Sequence, residues 1–106
     1  MPGFELSYLA DQDIAEIVKY TVDVWGDEQA DLYIRLLDQH FEDIGNGSML
    51  SKPIFEHRSD LLVSRCQKHI VFYLKRKNQI PLILAVLHSK MDLMIHMEKR
   101  LNALGI

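Results

Sequence analysis

The sequence predicts an α+β fold, a helical hairpin packed on an antiparallel sheet, with the element order β-α-α-β-β-β-α. Three observations predict it. Apolar residues recur at helical spacing up to about residue 45 and at strand spacing from Leu61. A Gly26-Asp27 step divides the helical part in two. A last amphipathic stripe follows the strands. At 106 residues, 48% of them hydrophobic, the chain has the length of one ordinary domain, 1–106, with a single modest core.

Phe4-Glu5-Leu6-Ser7-Tyr8-Leu9 alternates apolar and polar residues and reads as a short strand. Asp11 is the expected N-cap of the first helix, whose apolar positions are Ile14, Ile17, Val18, Thr21 and Trp25. Gly26 stops that helix and Asp27 caps the next. Ala30, Tyr33, Ile34, Leu37, Phe41 and Ile44 form the apolar stripe of the second helix, opposite Asp31, Arg35, Asp38, Gln39 and Glu42. Gly45-Asn46-Gly47-Ser48 ends it, and residues 48–60, with Pro53, read as an irregular connection.

Leu61–Gln67 and His69–Arg76 read as two strands, and the polar turn Lys75-Arg76-Lys77-Asn78 leads to a third, Ile80–His88. The third is apolar on both faces, with Ile83, Ala85 and Leu87 opposed to Leu82, Leu84 and Val86, so both faces should be covered. Pro81, which has no N–H for a ladder, belongs at its start. A final helix, Asp92 to Leu104, aligns Leu93, Met97, Leu101 and Leu104. Coming last, it is expected to be detachable, so that truncation after Asp92 leaves a folded domain.

Charge is segregated along the chain. Residues 1–60 hold 13 acidic and 4 basic residues, a net of −9, whereas residues 61–106 hold 8 basic and 2 acidic, a net of +6. A basic face suits an acidic peptide or a phosphate-bearing partner, and an acidic helical hairpin can equally serve solubility alone. The single cysteine, Cys66, excludes an internal disulfide and a cysteine-rich zinc site. The histidines His40, His57, His69, His88 and His96 lack the short spacing of a zinc motif, and no glycine-rich loop opens a helix, so neither metal nor cofactor is expected. The absence of an apolar run of about 20 residues excludes a membrane span, and the Met1-Pro2-Gly3-Phe4-Glu5 terminus lacks signal-peptide character. A cytoplasmic protein is expected.

Three blocks carry a resemblance. Asp13-Ile14-Ala15-Glu16-Ile17 with Tyr20-Thr21, Trp25-Gly26, Glu28-Gln29-Ala30 and Tyr33 looks like a helical hairpin of the RelE/ParE toxins. His69-Ile70-Val71-Phe72-Tyr73 is similar to their characteristic strand, and Leu87-His88-Ser89-Lys90-Met91-Asp92 to their closing motif. Over residues 4–97 the chain resembles the ParE branch of this superfamily, whose members belong to type II toxin–antitoxin and plasmid-stabilisation systems. It departs from the usual pattern at Leu62, where an arginine is common, at Ser64, where an aromatic is common, and at Gln67, where a glycine is common.

The resemblance implies a toxin that inhibits DNA gyrase by protein–protein binding, without catalysis, causing growth arrest until a cognate antitoxin neutralises it. It implies a homodimer or a toxin–antitoxin hetero-oligomer, and no sequence-specific nucleic-acid binding by the toxin alone. The RelE branch instead cuts ribosome-bound mRNA, and Arg58, Arg65, Lys68, His69, Tyr73, His88 and Lys90 supply suitable residue types for that. The net charge of −3 weighs against it. The substitutions at Leu62 and Ser64 also admit a toxin fold that has lost toxicity. The basic half places antitoxin contacts at Arg65, Lys68 and Tyr73, with Arg58 just before it, and the family's use of its C-terminal region places gyrase contacts at Lys90, Met94, Met97, Lys99, Arg100 and Leu101. Trp25, Gly26, Tyr33, Phe72 and His88 are read as structural, the two hairpin aromatics as anchors against the sheet. Phe72 and Tyr73 must face opposite sides of their strand, and the sequence leaves open which side lies under the helices.

Overall fold

Ser7, rather than Asp11, starts the first helix in the computed structural model, which describes residues 3–106. Its backbone is extended and its Oγ accepts from Ala10 N at 3.0 Å, while the same hydroxyl donates to Leu84 O across the sheet. This tertiary bond favours the earlier cap, so Tyr8 and Leu9 are helical and the first strand shrinks to two residues. The elements are β1 (Glu5–Leu6), α1 (Tyr8–Trp25), α2 (Asp27–Gly45), β2 (Lys52–Phe55), β3 (Arg58–Cys66), β4 (His69–Leu74), β5 (Leu82–His88) and α3 (Leu93–Leu104). The reading of the N-terminus rests partly on Met1 and Pro2, which lie outside the described residues.

The α+β class and the order of the expected elements are those of the structure, with one strand more than expected. β2 lies in the segment read as an irregular connection and pairs antiparallel with β3 at the sheet edge. Pro53 masked it, yet an edge strand tolerates a residue that cannot donate to the ladder. The sheet order is β1-β5-β4-β3-β2, antiparallel except that β1 runs parallel to β5.

Each sheet face has its own cover. The hairpin buries Ala10, Leu37, Phe41 and Ile44, together with Phe4 just before β1, against Cys66, Val71, Tyr73, Ile83 and Val86. On the other face α3 places Met97 among Leu61, Val63, Phe72, Leu84, Ala85 and Leu87, with Leu93, Leu101 and Leu104 packed around it. Tyr73 therefore faces the hairpin and Phe72 faces α3.

The simple alternation expected for β5 fails at one step. Leu84 and Ala85 both face α3, because the register with β4 shifts between Phe72 and Tyr73 and leaves Leu84 as an extra residue. β1 covers only the start of β5, at Leu82 and Ile83, so the edge beyond is closed by side chains. Val86 N donates to Asp13 Oδ2 at 2.9 Å, and Leu84 O accepts from Arg100 Nη1 at 2.8 Å. Arg100 and Asp13 also form a bidentate ion pair, 2.7 and 2.9 Å, both side chains only 15% exposed. α3 is thus bolted to α1 and β5 as well as packed on the sheet. The expectation of a detachable terminal helix is corrected accordingly, since truncation after Asp92 removes Met97 from the core and leaves Asp13 without its cation.

Candidate functional site

A groove of about 920 Å³ lies between α1, α2, the β3–β4 turn, the end of β5 and α3. Gly26 makes the hairpin turn possible, serving as C-cap of α1 and N-cap of α2 at φ 93°, ψ 172°, a conformation strained for any side chain. Tyr20, Trp25, Leu32 and Leu36 form an apolar rim. Their exposures of 64%, 63%, 51% and 41% are high for large apolar side chains brought together.

Tyr33, His69 and His88 form the polar floor. Tyr33 Oη is hydrogen-bonded to His69 Nδ1 and reaches Cys66 O at 3.5 Å. The imidazoles of His69 and His88 meet edge to face, with ring centroids 5.4 Å apart. His88 Nδ1 accepts from Lys90 N at 3.2 Å. A backbone amide cannot surrender its hydrogen, so the neutral His88 ring carries its proton on Nε2. Burial pushes the Tyr33 phenol up to about 12, so Tyr33 keeps its proton. Burial, and secondarily the neighbouring His88, hold His69 below the ordinary imidazole value, which keeps it neutral near pH 7. Lys68 stands at the β3–β4 turn beside this floor, where Gln67 takes φ 56° in place of the usual glycine.

The expected antitoxin residues do not form one patch. Lys68 lines the groove, whereas Arg65 is exposed beside a shallow depression of about 400 Å³ bounded by Leu50, Lys52, Val63 and Ile70. Arg58 sits at the start of β3 and pairs with Asp60 at 3.0 Å. Tyr73 is corrected from a docking residue to a core residue, since it is 7% exposed and its hydroxyl donates to Ser51 Oγ at 2.8 Å. The expected gyrase residues divide similarly. Lys90, Met94 and Lys99 are exposed, while Met97 is fully buried and Arg100 and Leu101 face inward. The last three are corrected to core positions, because they share the helix face that α3 turns to the sheet.

Trp25 is corrected in the opposite direction. It was placed as an anchor by helical spacing, but it is the last residue of α1, where no element packs over it. Tyr33 is half-buried against the hairpin-side core, Phe72 is fully buried, and His88 ends β5 on the groove floor. Reading the sequence for single stripes missed the groove. Its signal was available in Leu32 and Leu36, an i,i+4 apolar pair off the Leu37-Phe41-Ile44 stripe of α2.

Comparison with known proteins places this geometry among relatives. Residues 4–93 match the family described as the ParE toxin of the type II toxin–antitoxin system, parDE. The chain is 35% identical over 102 residues to a protein of Escherichia coli named Toxin ParE, covering 96% of this chain and 99% of that one. Its fold matches a solved structure titled Chromosomal ParDE TA system from P. aeruginosa, with a TM-score of 0.68 and 13% identity over 85% of this chain and 98% of the other.

Proposed function

Because this chain belongs to the ParE toxin family of type II toxin–antitoxin systems, we propose that it arrests growth by binding DNA gyrase and trapping it on cleaved DNA, without catalysis of its own. An antitoxin encoded beside it neutralises it. The observation that carries the reading is the rim of Trp25, Tyr20, Leu32 and Leu36, exposed aromatic and aliphatic anchors of the kind that dominate protein–protein contacts. The antitoxin's folding tail occupies this groove, its apolar residues on the rim and its acidic residues toward Lys68. Gyrase meets the outer side of α3 and the turn before it, where Lys90, Met91, Met94, Ile95 and Lys99 are exposed.

A second reading, metal-free RNA cleavage, draws support from Tyr33, His69, His88 and Lys68 standing together. Acidic surroundings oppose it, since the groove wall includes Glu16 and a polyphosphate chain would run past the acid-rich hairpin. One experiment separates the two. Purified protein is added to gyrase with relaxed plasmid, and in parallel to ribosomes programmed with mRNA. Loss of supercoiling with accumulation of cleaved DNA, relieved by the antitoxin, is expected. Cleaved mRNA with unaffected supercoiling would replace the first reading by the second.

A further inference from the structure

The floor of the groove has donors to spare. His69 and His88 both use Nδ1 inside the protein, on Tyr33 Oη and Lys90 N, and among the described residues neither Nε2 has a hydrogen-bond partner. The rings meet edge to face, and among the described residues the Lys68 ammonium, which also lines the groove, has no carboxylate partner. The other cation lining the groove, Arg100, is consumed by Asp13. His88 Nε2–H, a His69 ring that carries N–H on both nitrogens once protonated, and the Lys68 ammonium make an anion site. Its setting selects among anions. The rim is apolar and the surrounding hairpin acidic, so a single carboxylate on an apolar segment fits where a chain of phosphates is repelled.

We propose that His69, His88 and Lys68 form a carboxylate-binding site, which accepts one aspartate or glutamate side chain of the partner segment lying against Trp25 and Leu36 and takes up one proton as it does so. The inference rests on the protein-binding reading above and adds the chemistry of its central contact. In the free protein burial, and secondarily the neighbouring His88, keep the His69 imidazole neutral, the cheaper state in the absence of a counter-ion. A carboxylate arriving at Nε2 reverses the balance and favours an imidazolium. The two rings are too close for both to be charged, so the pair takes up one proton and not two. The other ionisable groups facing them are Asp13 and Glu16 from α1, Tyr33 from α2, Cys66 from β3, and His96 and Arg100 from α3. Asp13 is neutralised by Arg100, and Tyr33 and Cys66 are held protonated by burial, which leaves Glu16 and His96 as the groups to control for. Since binding raises the affinity of the pair for a proton, complexes are tighter at low pH and weaken as pH rises through the value of the bound pair.

The test is calorimetry of the adjacent-frame antitoxin binding to the full chain at pH 6 and pH 8, in buffers of different ionisation enthalpy. Most of one proton should be taken up at pH 6, with affinity more than about tenfold higher than at pH 8, as a rise of about two units on binding requires. The double substitution His69→Gln with His88→Gln should abolish the uptake, Glu16→Gln and His96→Gln should leave it in place, and Lys68→Ala, at an exposed position, should weaken binding about fivefold. Binding without proton uptake, or uptake that survives both histidine substitutions, overturns the site while leaving the toxin–antitoxin reading intact. Failure of the antitoxin to bind overturns that reading, and the site is then decided on the free protein by histidine NMR with acetate or inorganic phosphate. Acetate moving the His69 and His88 signals supports it. Phosphate acting at lower concentration, or neither anion acting, refutes it.

Discussion

Trp25 shows how position within a helix overrides residue type. An indole at helical spacing is usually core, yet the last residue of α1 has nothing above it and remains 63% exposed. Trp25→Ala is therefore expected to change unfolding free energy by less than about 1 kcal/mol, as at other exposed positions, and to weaken antitoxin binding by about 2 kcal/mol. Urea denaturation and calorimetry on the same variant check both. The reverse pattern would return Trp25 to the scaffold. Gln67 offers the opposite case, a residue whose backbone is unfavourable for its type. At φ 56° it takes the left-handed conformation in the two-residue turn that joins Cys66 to His69. Gln67→Gly is expected to stabilise the fold by about 0.5–1 kcal/mol, relief of strain exceeding the extra entropy of glycine in the unfolded chain. A lower denaturation midpoint would contradict this. His40 is buried against Ser64, its Nε2 2.7 Å from Oγ, and burial holds it below the ordinary imidazole value. The folded state thus binds the His40 proton less readily than the unfolded state. This contribution to stability is present above about pH 6.5 and is lost as pH falls through the folded-state value. His40→Gln should flatten the loss of stability on acidification below about pH 6.5, measured by denaturation across that range.

Helices and strands are tied together here by groups that replace missing strand partners. The outer edge of β5 would expose Leu84 O and Val86 N, and Ser7, Asp13 and Arg100 occupy that edge instead. This closure also explains why α3 cannot behave as a loose terminal element. Arg100→Ala leaves Asp13 as an uncompensated and nearly buried charge and is expected to cost about 3 kcal/mol. A cost near that of an exposed ion pair, under about 1 kcal/mol, would show that α3 is held by Met97 and its apolar neighbours alone. At the hairpin, Gly45 has a different constraint from Gly26. A Cβ there would overlap the backbone of Gly3, so the end of α2 and the chain entering β1 approach as only glycine permits.

Over the whole molecule, charge is sorted by layer as well as by sequence. Arg65 and Lys68 lie near the β3–β4 turn, beyond the acidic hairpin, and remain exposed with no carboxylate partner among the described residues. Long-range attraction of an acidic antitoxin tail acts through such charges mainly on the association rate. Arg65→Glu with Lys68→Glu should slow antitoxin association and reduce its dependence on ionic strength, read by stopped-flow between about 0.05 and 0.5 M salt. Identical rates across that range would remove electrostatic steering from the account.

What the sequence by itself determined is whatever depends on neighbours close in the chain. The α+β class, the hairpin broken at Gly26, the three longer strands and the start of α3 at Asp92 follow from periodicity and capping, which act over a few residues. Resemblance in three blocks added the toxin family. Tertiary structure decided the rest, because those features join residues distant in sequence. Ser7 displaced Asp11 as a cap through a bond to Leu84, and the sheet edge made room for Pro53 in β2. The bulge at Leu84 set which face each β5 residue serves, and Asp13 met Arg100 across 87 positions. The groove itself is a product of packing. Tyr33, His69 and His88 have unremarkable neighbours in the chain, and only the packing of the hairpin on the sheet and the pairing of β4 with β5 place them together.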